Sequence, residues 1–329
     1  MSEAAPPAAA TRVYFDPLVL GHDTGPFHPE RASRVASVAA ALAASGHDPR
    51  SPASPERTTA AIERVHEPGY VERLRQAAAR ASSEAGGKAF GLFDSPDNPI
   101  SAATFTAASR CAGLALAAVD DALAGPCRAA FVVARPPGHH ARAARAMGFC
   151  FFNTVAVAAR DALDSAGLSR VLVADFDVHH GNGTQELFWE EGRVAYLSVH
   201  RYPFYPGTGA ADEVGEGRGR GLTVNVPRPA GSSDDVYAGG FEAALEELAG
   251  RFRPELVLVS AGFDAHADDP LGGMEVTVEG FVRMTRALRR VAEAYAGGRL
   301  VSVLEGGYDP EALAKSAVAH VRALSAVPV

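Results

Sequence analysis

Cysteine is scarce in this chain of 329 residues: Cys111, Cys127 and Cys150 are odd in number and show no CxxC spacing. That excludes a disulfide framework and a thiolate zinc knuckle. A reducing compartment, the cytoplasm, is expected. Also missing is any uninterrupted apolar run of about 18 residues. The start, Met1 to Ala10, is small and Pro-rich, with no basic region ahead of an apolar core. Neither a membrane span nor a signal peptide is expected. Basic excess is absent too: 31 Lys and Arg stand against 39 Asp and Glu, a formal net charge of -8. This argues against binding nucleic-acid backbones, which relies on neutralising phosphates. The acidic balance is compatible with a basic peptide substrate. No repeat of fixed period and no low-complexity linker divides the chain.

The hydrophobic fraction of 47% and charged fraction of 21% are those of a soluble globular protein. Short apolar runs alternate with longer Ala-rich amphipathic segments. Val13 to Phe15, Ala130 to Val133, Val171 to Ala174, Val194 to Val199, Leu256 to Ser260 and Leu300 to Leu304 read as strands. Pro29 to Ala44, Ala102 to Leu123, Thr154 to Ala166, Asp234 to Arg251 and Thr277 to Ala296 read as helices. That order predicts an α/β fold, a three-layer α/β/α arrangement around a mostly parallel central sheet. Ser82 to Pro99 and the Gly/Arg-rich stretch Gly215 to Gly221 read as surface loops. One domain over residues 11–329 is expected, after a disordered start at 1–10.

Polar residues gather where the strands end. Val171 to Asp175 reads as a buried parallel strand, and it runs into Phe176-Asp177-Val178-His179-His180-Gly181-Asn182-Gly183. Asp177 and His179 are two residues apart, so an extended chain points them the same way. A carboxylate and an imidazole at that spacing could bind a metal, and open α/β sheets bind ligands beyond the carboxyl ends of their strands. The strand ending at Val133-Ala134 is followed by Arg135-Pro136-Pro137-Gly138-His139-His140, where the prolines exclude helix and present two adjacent imidazoles. Leu256 to Ser260 leads to Asp264, and Leu300 to Leu304 leads to Glu305-Gly306-Gly307-Tyr308. Four such termini on one rim make Asp177, His179 and Asp264 candidate ligands. His139 and His140 are candidate proton carriers, and Tyr308 is a candidate hydroxyl donor; a core-capping tyrosine is the alternative.

These segments together resemble the histone deacetylase family, within the arginase/deacetylase fold. The resemblance covers Arg12 to Leu324. It rests on RPPGHH at Arg135 to His140, GFCFFN at Gly148 to Asn153, DFDVHHGNG at Asp175 to Gly183, SVHRY at Ser198 to Tyr202, SAGFDAHADDPLGG at Ser260 to Gly273, and LEGGY at Leu304 to Tyr308. Asn182, where class I members carry aspartate, and the HRY run resemble the class II branch and its bacterial relatives.

The resemblance implies one Zn²⁺ held by Asp177, His179 and Asp264, open to water and a substrate carbonyl. Two anionic ligands should acidify that water less than three histidines would, so a protein base is needed. By resemblance that base, and then acid, is His140, with His139 as its electrostatic partner. Asp175 is implied as the partner of His139 and Asn182 as the partner of His140; the neutral amide should leave His140 less basic than an aspartate would. Tyr308 is implied to donate to the developing oxyanion, a contribution of about 3 kcal/mol in comparable donor deletions. Gly148, Phe149 and Tyr205 match an acyl-lysine tunnel, Tyr205 replacing the usual phenylalanine and adding a polar handle. Core packing is the other reading of Phe149. Asp97 matches a residue that accepts from substrate backbone amides, with Asp94 competing for the role. His28 belongs to an entrance loop. A structural K⁺ is implied at Asp175, Asp177, His179, Ser198 and Val199.

The remaining histidines receive plain readings. His22, His47, His66 and His320 are expected in packing or on the surface, and His200 could be structural. His266 suggests a second metal as in arginases, but Gly181 stands where a dimetal site needs an aspartate, so one metal is expected. The leading expectation is hydrolysis of an acyl-lysine amide in a peptide or protein. The rival is an acetylpolyamine or other acylated small-molecule amidohydrolase. Leu271 opposes one form of it, since polyamine-selective eukaryotic relatives carry glutamate there. A catalytically inactive acyl-lysine reader is the third reading. Ferrous iron suits the same O/N/O donors. A homo-oligomer stays open.

Overall fold

The computed structural model describes residues 11–83 and 91–325. The start expected to be disordered, 1–10, lies outside the described residues, as do 84–90. The strands are β1 Arg12–Tyr14, β2 Gly91–Phe93, β3 Ser95–Ile100, β4 Ala129–Val132, β5 Val171–Asp175, β6 Val194–Arg201, β7 Thr223–Arg228, β8 Leu256–Ala261 and β9 Leu300–Leu304. The helices are α1 Ala32–Ala44, α2 Thr58–Glu63, α3 Pro68–Ser83, α4 Thr104–Ala124, α5 Thr154–Asp164, α6 Asn182–Leu187, α7 Asp234–Phe252, α8 Val278–Tyr295 and α9 Pro310–Ser325.

Seven strands form one sheet in the order β1-β4-β9-β8-β5-β6-β7, and every pairing is parallel. β4, β5, β8 and β9 are buried along their whole length, which is why their sequences are mostly apolar rather than alternating. Helices α1, α7, α8 and α9 pack in one group, and α2, α3, α4 and α5 in another. These are the two outer layers of the expected three. The arrangement is the α/β fold read from the sequence, with the central sheet wholly parallel. Among the described residues no helix is long and apolar enough to cross a membrane, and the three cysteines are free.

The strand order positions the site. β4, β9, β8 and β5 are neighbours in the sheet although they lie far apart in the chain. Each ends in one of the polar motifs, so four motifs meet along one edge that spans only about 15 Å at the usual strand spacing.

Several elements differ from the sequence expectation. Residues 91–100 form the antiparallel pair β2 and β3, not a surface loop. The two prolines of Ser95-Pro96-Asp97-Asn98-Pro99-Ile100 hid the strand, and a two-stranded ribbon with free edges is where proline is tolerated. β7, the last strand of the sheet, is also absent from the sequence expectation because it carries Pro227. Gly217–Gly219 is a short 3₁₀ turn within the expected loop. α1 starts at Ala32 rather than Pro29, because His28 to Arg31 is taken up by the loop that reaches the site. α9 is not among the helices the sequence predicts, yet it has a clear start signal: the Asp309 carboxylate accepts from the backbone N–H of Glu311 and Ala312 at 3.0 and 2.8 Å.

Three histidines outside the motifs are packing residues, as expected, and all are buried. His22 Nδ1 lies 2.9 Å from Thr104 Oγ1. His66 Nδ1 lies 3.0 Å from the Arg142 carbonyl, and its Nε2 accepts from Asn153 N at 2.9 Å. His320 joins α8 to β9 by contacts of 2.7 Å to Thr285 Oγ1 and 2.9 Å to Ser302 Oγ. Burial pushes His22 and His320 down to about 3 and His66 down to about 4. All three values lie below the roughly 6.5 of an unfolded histidine. Their contribution to stability is therefore present above pH 6.5 or so and lost as pH falls toward the folded values, each by up to about 1.4 kcal/mol per pH unit. Urea midpoints measured between pH 7 and about pH 4.5 should fall steeply. His320→Gln keeps two hydrogen-bonding ends but cannot charge, and should flatten the slope; an unaltered slope would contradict this assignment.

Candidate active site

Asp175 ends β5, and Asp177 and His179 follow in the turn; Asp264 lies three residues beyond β8. One donor atom from each of Asp177, His179 and Asp264 lies within 4.8 Å of the others. His179 Nδ1 is 3.0 Å from Asp177 Oδ1 and 3.1 Å from Asp264 Oδ2. The carboxylates are aimed by the backbone. Gly306 N donates to Asp177 Oδ2 at 2.8 Å, and Val178 N donates to Asp264 Oδ1 at 2.8 Å. Any Cβ at Gly262 or Gly306 would collide with these carboxylates, so both positions require glycine.

Burial and the neighbouring charge of Asp177 push Asp264 up to about 7. Burial disfavours a charged His179, but the two carboxylates outweigh it and raise His179 to about 9. Two buried anions around one imidazole make an O/N/O donor set that a divalent cation fits, both in ligand type and in the charge it neutralises. Phe204 stacks on His179 at 5.2 Å between ring centroids, and the Arg201 guanidinium lies 4.1 Å over the Phe204 ring.

The two histidines after β4 stand beside this cluster, with ring centroids 4.1 Å apart. His139 Nδ1 is 3.0 Å from Asp175 Oδ2, which also accepts from the Tyr196 hydroxyl at 3.2 Å. Burial opposes charge on His139, yet Asp175 and Asp177 overcome it and raise it to about 10. His140 Nδ1 is 2.8 Å from Asn182 Oδ1. An amide oxygen only accepts, so the proton sits on Nδ1 and Nε2 is left free. Burial first, and then the charges of His139 and His179, hold His140 well below the usual histidine range. The turn itself is pinned by Glu305, whose Oε2 accepts from Gly138 N at 2.6 Å and His139 N at 3.2 Å. Burial raises Glu305 to about 7.

Aromatic rings enclose the approach to these groups. Phe149 and Tyr308 meet edge to face at 6.0 Å, and His28 packs on Phe149 at 4.7 Å. Tyr205 faces His140 at 5.2 Å and His179 at 6.1 Å. Phe149 and Tyr308 lie outside the hydrophobic core cluster that contains Phe151 and Phe152. Tyr308 is nonetheless buried, at 7% exposure, while Phe149 is half-buried. Gly148 has φ +58 and a Cβ there would strike the His140 ring; Phe149 itself has φ +67. This bent turn is held by Phe149 N donating to Asn98 Oδ1 at 2.8 Å. Burial keeps the Tyr308 hydroxyl protonated, well above the usual tyrosine range.

Asp97 is at the mouth, accepting from Gly148 N and the Tyr205 hydroxyl at 3.1 Å each. Asp94 instead binds Arg73 at 2.9 Å and Ala146 N at 3.1 Å. The geometry thus separates the two aspartates. Leu271 is half-buried in a turn organised by Asp269, whose other oxygen accepts from Tyr308 N at 2.6 Å. Ser198 is the register partner of Asp175, and its hydroxyl lies 2.9 Å from His200 Nδ1. The Tyr237 hydroxyl lies 3.0 Å from the Asp177 carbonyl and 2.9 Å from that of Val199. His266 stacks on Phe281 and is not part of the metal cluster.

Sequence reasoning missed the support of Tyr308. Arg34 is fully buried and lies 4.7 Å over the Tyr308 ring. It donates to the Gly307 carbonyl, to the Glu305 carbonyl at 2.7 Å and to Glu30 Oε1 at 2.9 Å. Arg135 donates to the same Glu30 oxygen at 2.9 Å. Only the placement of charges four apart at the start of an Ala-rich helix could have hinted at this. Glu305 was within reach, since it directly follows β9.

A buried cluster of two carboxylates and an imidazole that could hold a metal, with two further imidazoles beside it at the carboxyl edge of a parallel sheet, is a site of the kind metal-dependent α/β hydrolases use. Comparison with known proteins agrees. Residues 28–324 match the family model described as "Histone deacetylase domain". The chain is 40% identical to a histone deacetylase-like amidohydrolase of Pseudomonas aeruginosa, over 94% of this chain and 79% of that protein. It is 41% identical to the human polyamine deacetylase HDAC10, over 83% of this chain and 44% of that protein. The crystal structure of the HDA15 HD domain superposes with a TM-score of 0.87 at 38% identity, covering 97% of this chain and 88% of the other. The chain belongs to the histone deacetylase family, and it is a hydrolase acting on amides.

Equilibrium dialysis against Zn²⁺ should give one ion per chain. Asp264→Asn and His179→Ala should each weaken binding at least about tenfold, since even groups that only support ligands matter by that much. Unchanged stoichiometry and affinity in both variants would place the metal elsewhere.

Proposed function

We propose that this chain removes the acyl group from an acyl-lysine side chain, releasing the free amine and a carboxylate, with zinc held by Asp177, His179 and Asp264. The observation that carries this reading is the convergence of those three donors, the two imidazoles and Tyr308 on one approach walled by Phe149 and Tyr205. A bound Zn²⁺ would act as a Lewis acid on the acyl carbonyl and lower the pKa of its water. His140 accepts the proton of the attacking water at Nε2, because Asn182 holds the other ring proton, and then delivers it to the leaving amine. His139, bound to Asp175, supplies a neighbouring positive charge. Tyr308 donates its hydroxyl proton in a hydrogen bond to the oxyanion. The rings of Phe149 and Tyr205 flank the alkyl stem of lysine and exclude water from it. Ferrous iron suits the same donors.

A potassium ion below this centre is proposed on the family resemblance, at Asp175, Asp177, His179, Ser198 and Val199. The carbonyls of Asp177 and Val199 converge on the Tyr237 hydroxyl, which marks an electronegative spot there. A second reading, hydrolysis of acetylpolyamines, is supported by the name of the human relative. Leu271 opposes only the form of it in which a glutamate at that position pairs with a substrate ammonium. Against the inactive-reader alternative stand the deacetylase and amidohydrolase relatives.

Steady-state hydrolysis tests the proposal with acetyl-lysine and trifluoroacetyl-lysine peptides against acetylputrescine and acetylspermidine. The peptides should be turned over and chelation should abolish the activity. Tyr308→Phe should lower kcat by about a hundredfold to a thousandfold. Turnover of the polyamines alone would transfer the protein to the second reading.

A further inference from the structure

One polar pair at the mouth of the site has no task in the chemistry above. Tyr205 lies in the loop after β6, and its ring is one wall of the approach. Its hydroxyl crosses the mouth and donates to Asp97 Oδ2 at 3.1 Å. The same oxygen accepts from Gly148 N at 3.1 Å, and Oδ1 accepts from the Ser95 hydroxyl. The bond therefore clasps β3, the Gly148 turn and the Tyr205 loop together. Among the described residues, no arginine or lysine forms an ion pair with Asp97. It is a half-buried carboxylate at the entrance whose charge is answered by hydrogen bonds alone.

A carboxylate oxygen accepts about two hydrogen bonds along its lone pairs. Oδ2 of Asp97 is thus filled. The Gly148 bond belongs to a turn fixed by its left-handed backbone, whereas the Tyr205 side chain is on a residue 39% exposed. Of the two donors, the tyrosine is the one that can leave. A peptide carries N–H groups on both sides of its acyl-lysine and brings them to this mouth; an acylated alkylamine does not. The peptide meets a carboxylate with one oxygen already filled, and only the other, which carries the Ser95 bond, has a site left.

We infer that the Tyr205 hydroxyl is a specificity determinant: it competes with substrate backbone N–H groups for Asp97 and shifts the preference of this chain toward acylated amines that lack backbone amides. This rests on the deacylase reading above. The effect is specific to a hydroxyl on that ring, because phenylalanine would keep the wall and leave Oδ2 of Asp97 free.

The test uses the full metal-loaded chain as wild type, Tyr205→Phe, Asp97→Ala and the double variant. The substrates are a trifluoroacetyl-lysine hexapeptide and N-pentyl trifluoroacetamide, which is neutral and has no backbone amide. The quantity read is the ratio of kcat/KM for the peptide to that for the alkylamide. Tyr205→Phe should raise this ratio about tenfold, mainly through the peptide KM, as expected for freeing an acceptor on a charged group at a partly exposed site. In the Asp97→Ala background the same substitution should change it by less than about twofold. An unchanged or lower ratio in Tyr205→Phe, or an equal rise in both backgrounds, would overturn the inference while wild-type turnover leaves the deacylase reading standing. Wild type that hydrolyses neither substrate would overturn both.

Discussion

The like charges of Asp177 and Asp264, buried side by side at the edge of the sheet, are the constraint on which the rest of the site depends. Two buried carboxylates repel each other and lose hydration, and either effect alone costs several kcal/mol. The chain offsets this locally in three ways. Backbone N–H groups of Gly306 and Val178 donate to the carboxylates. Glycine at 262 and 306 clears the space they occupy. The His179 imidazole sits between them. What remains is a demand for positive charge at one point, which a divalent cation answers.

The same constraint explains the neighbouring histidines. His139 is drawn toward the charged form by Asp175 and Asp177, and His140 is held neutral by burial and by the charges of His139 and His179. The pair thus divides into one imidazole that carries charge and one that can take a proton. A further layer secures Tyr308: Glu30 binds Arg34 and Arg135 in the interior, and Arg34 in turn holds the carbonyls of Glu305 and Gly307. Removing Glu30 would leave two buried guanidiniums without their carboxylate, a loss of about 3–5 kcal/mol.

Much of this was legible in the sequence, for a physical reason. Strands buried on both faces are continuous apolar runs, so β4, β5, β8 and β9 stood out, and each abruptly turned polar where it left the sheet. The candidate ligands, the histidine pair, Asp175, Asn182 and Tyr308 all lie within a few residues of those turns. What the sequence hid was set by tertiary contact. The hairpin of β2 and β3 and the edge strand β7 contain proline and lack an apolar run. Arg34 and Glu30 look like ordinary helix-start charges, and only the fold buries them. Asp97 and Asp94 could not be told apart until Tyr205 was seen to reach one of them.

The most direct test of the central claim is X-ray absorption spectroscopy on the zinc-loaded chain. The account predicts a first shell of nitrogen and oxygen only, at about 2.0–2.2 Å, with the outer-shell signature of a single imidazole. Sulfur scattering, or the signature of two or more imidazoles, would contradict it, because the carboxylate pair would then not be what holds the metal.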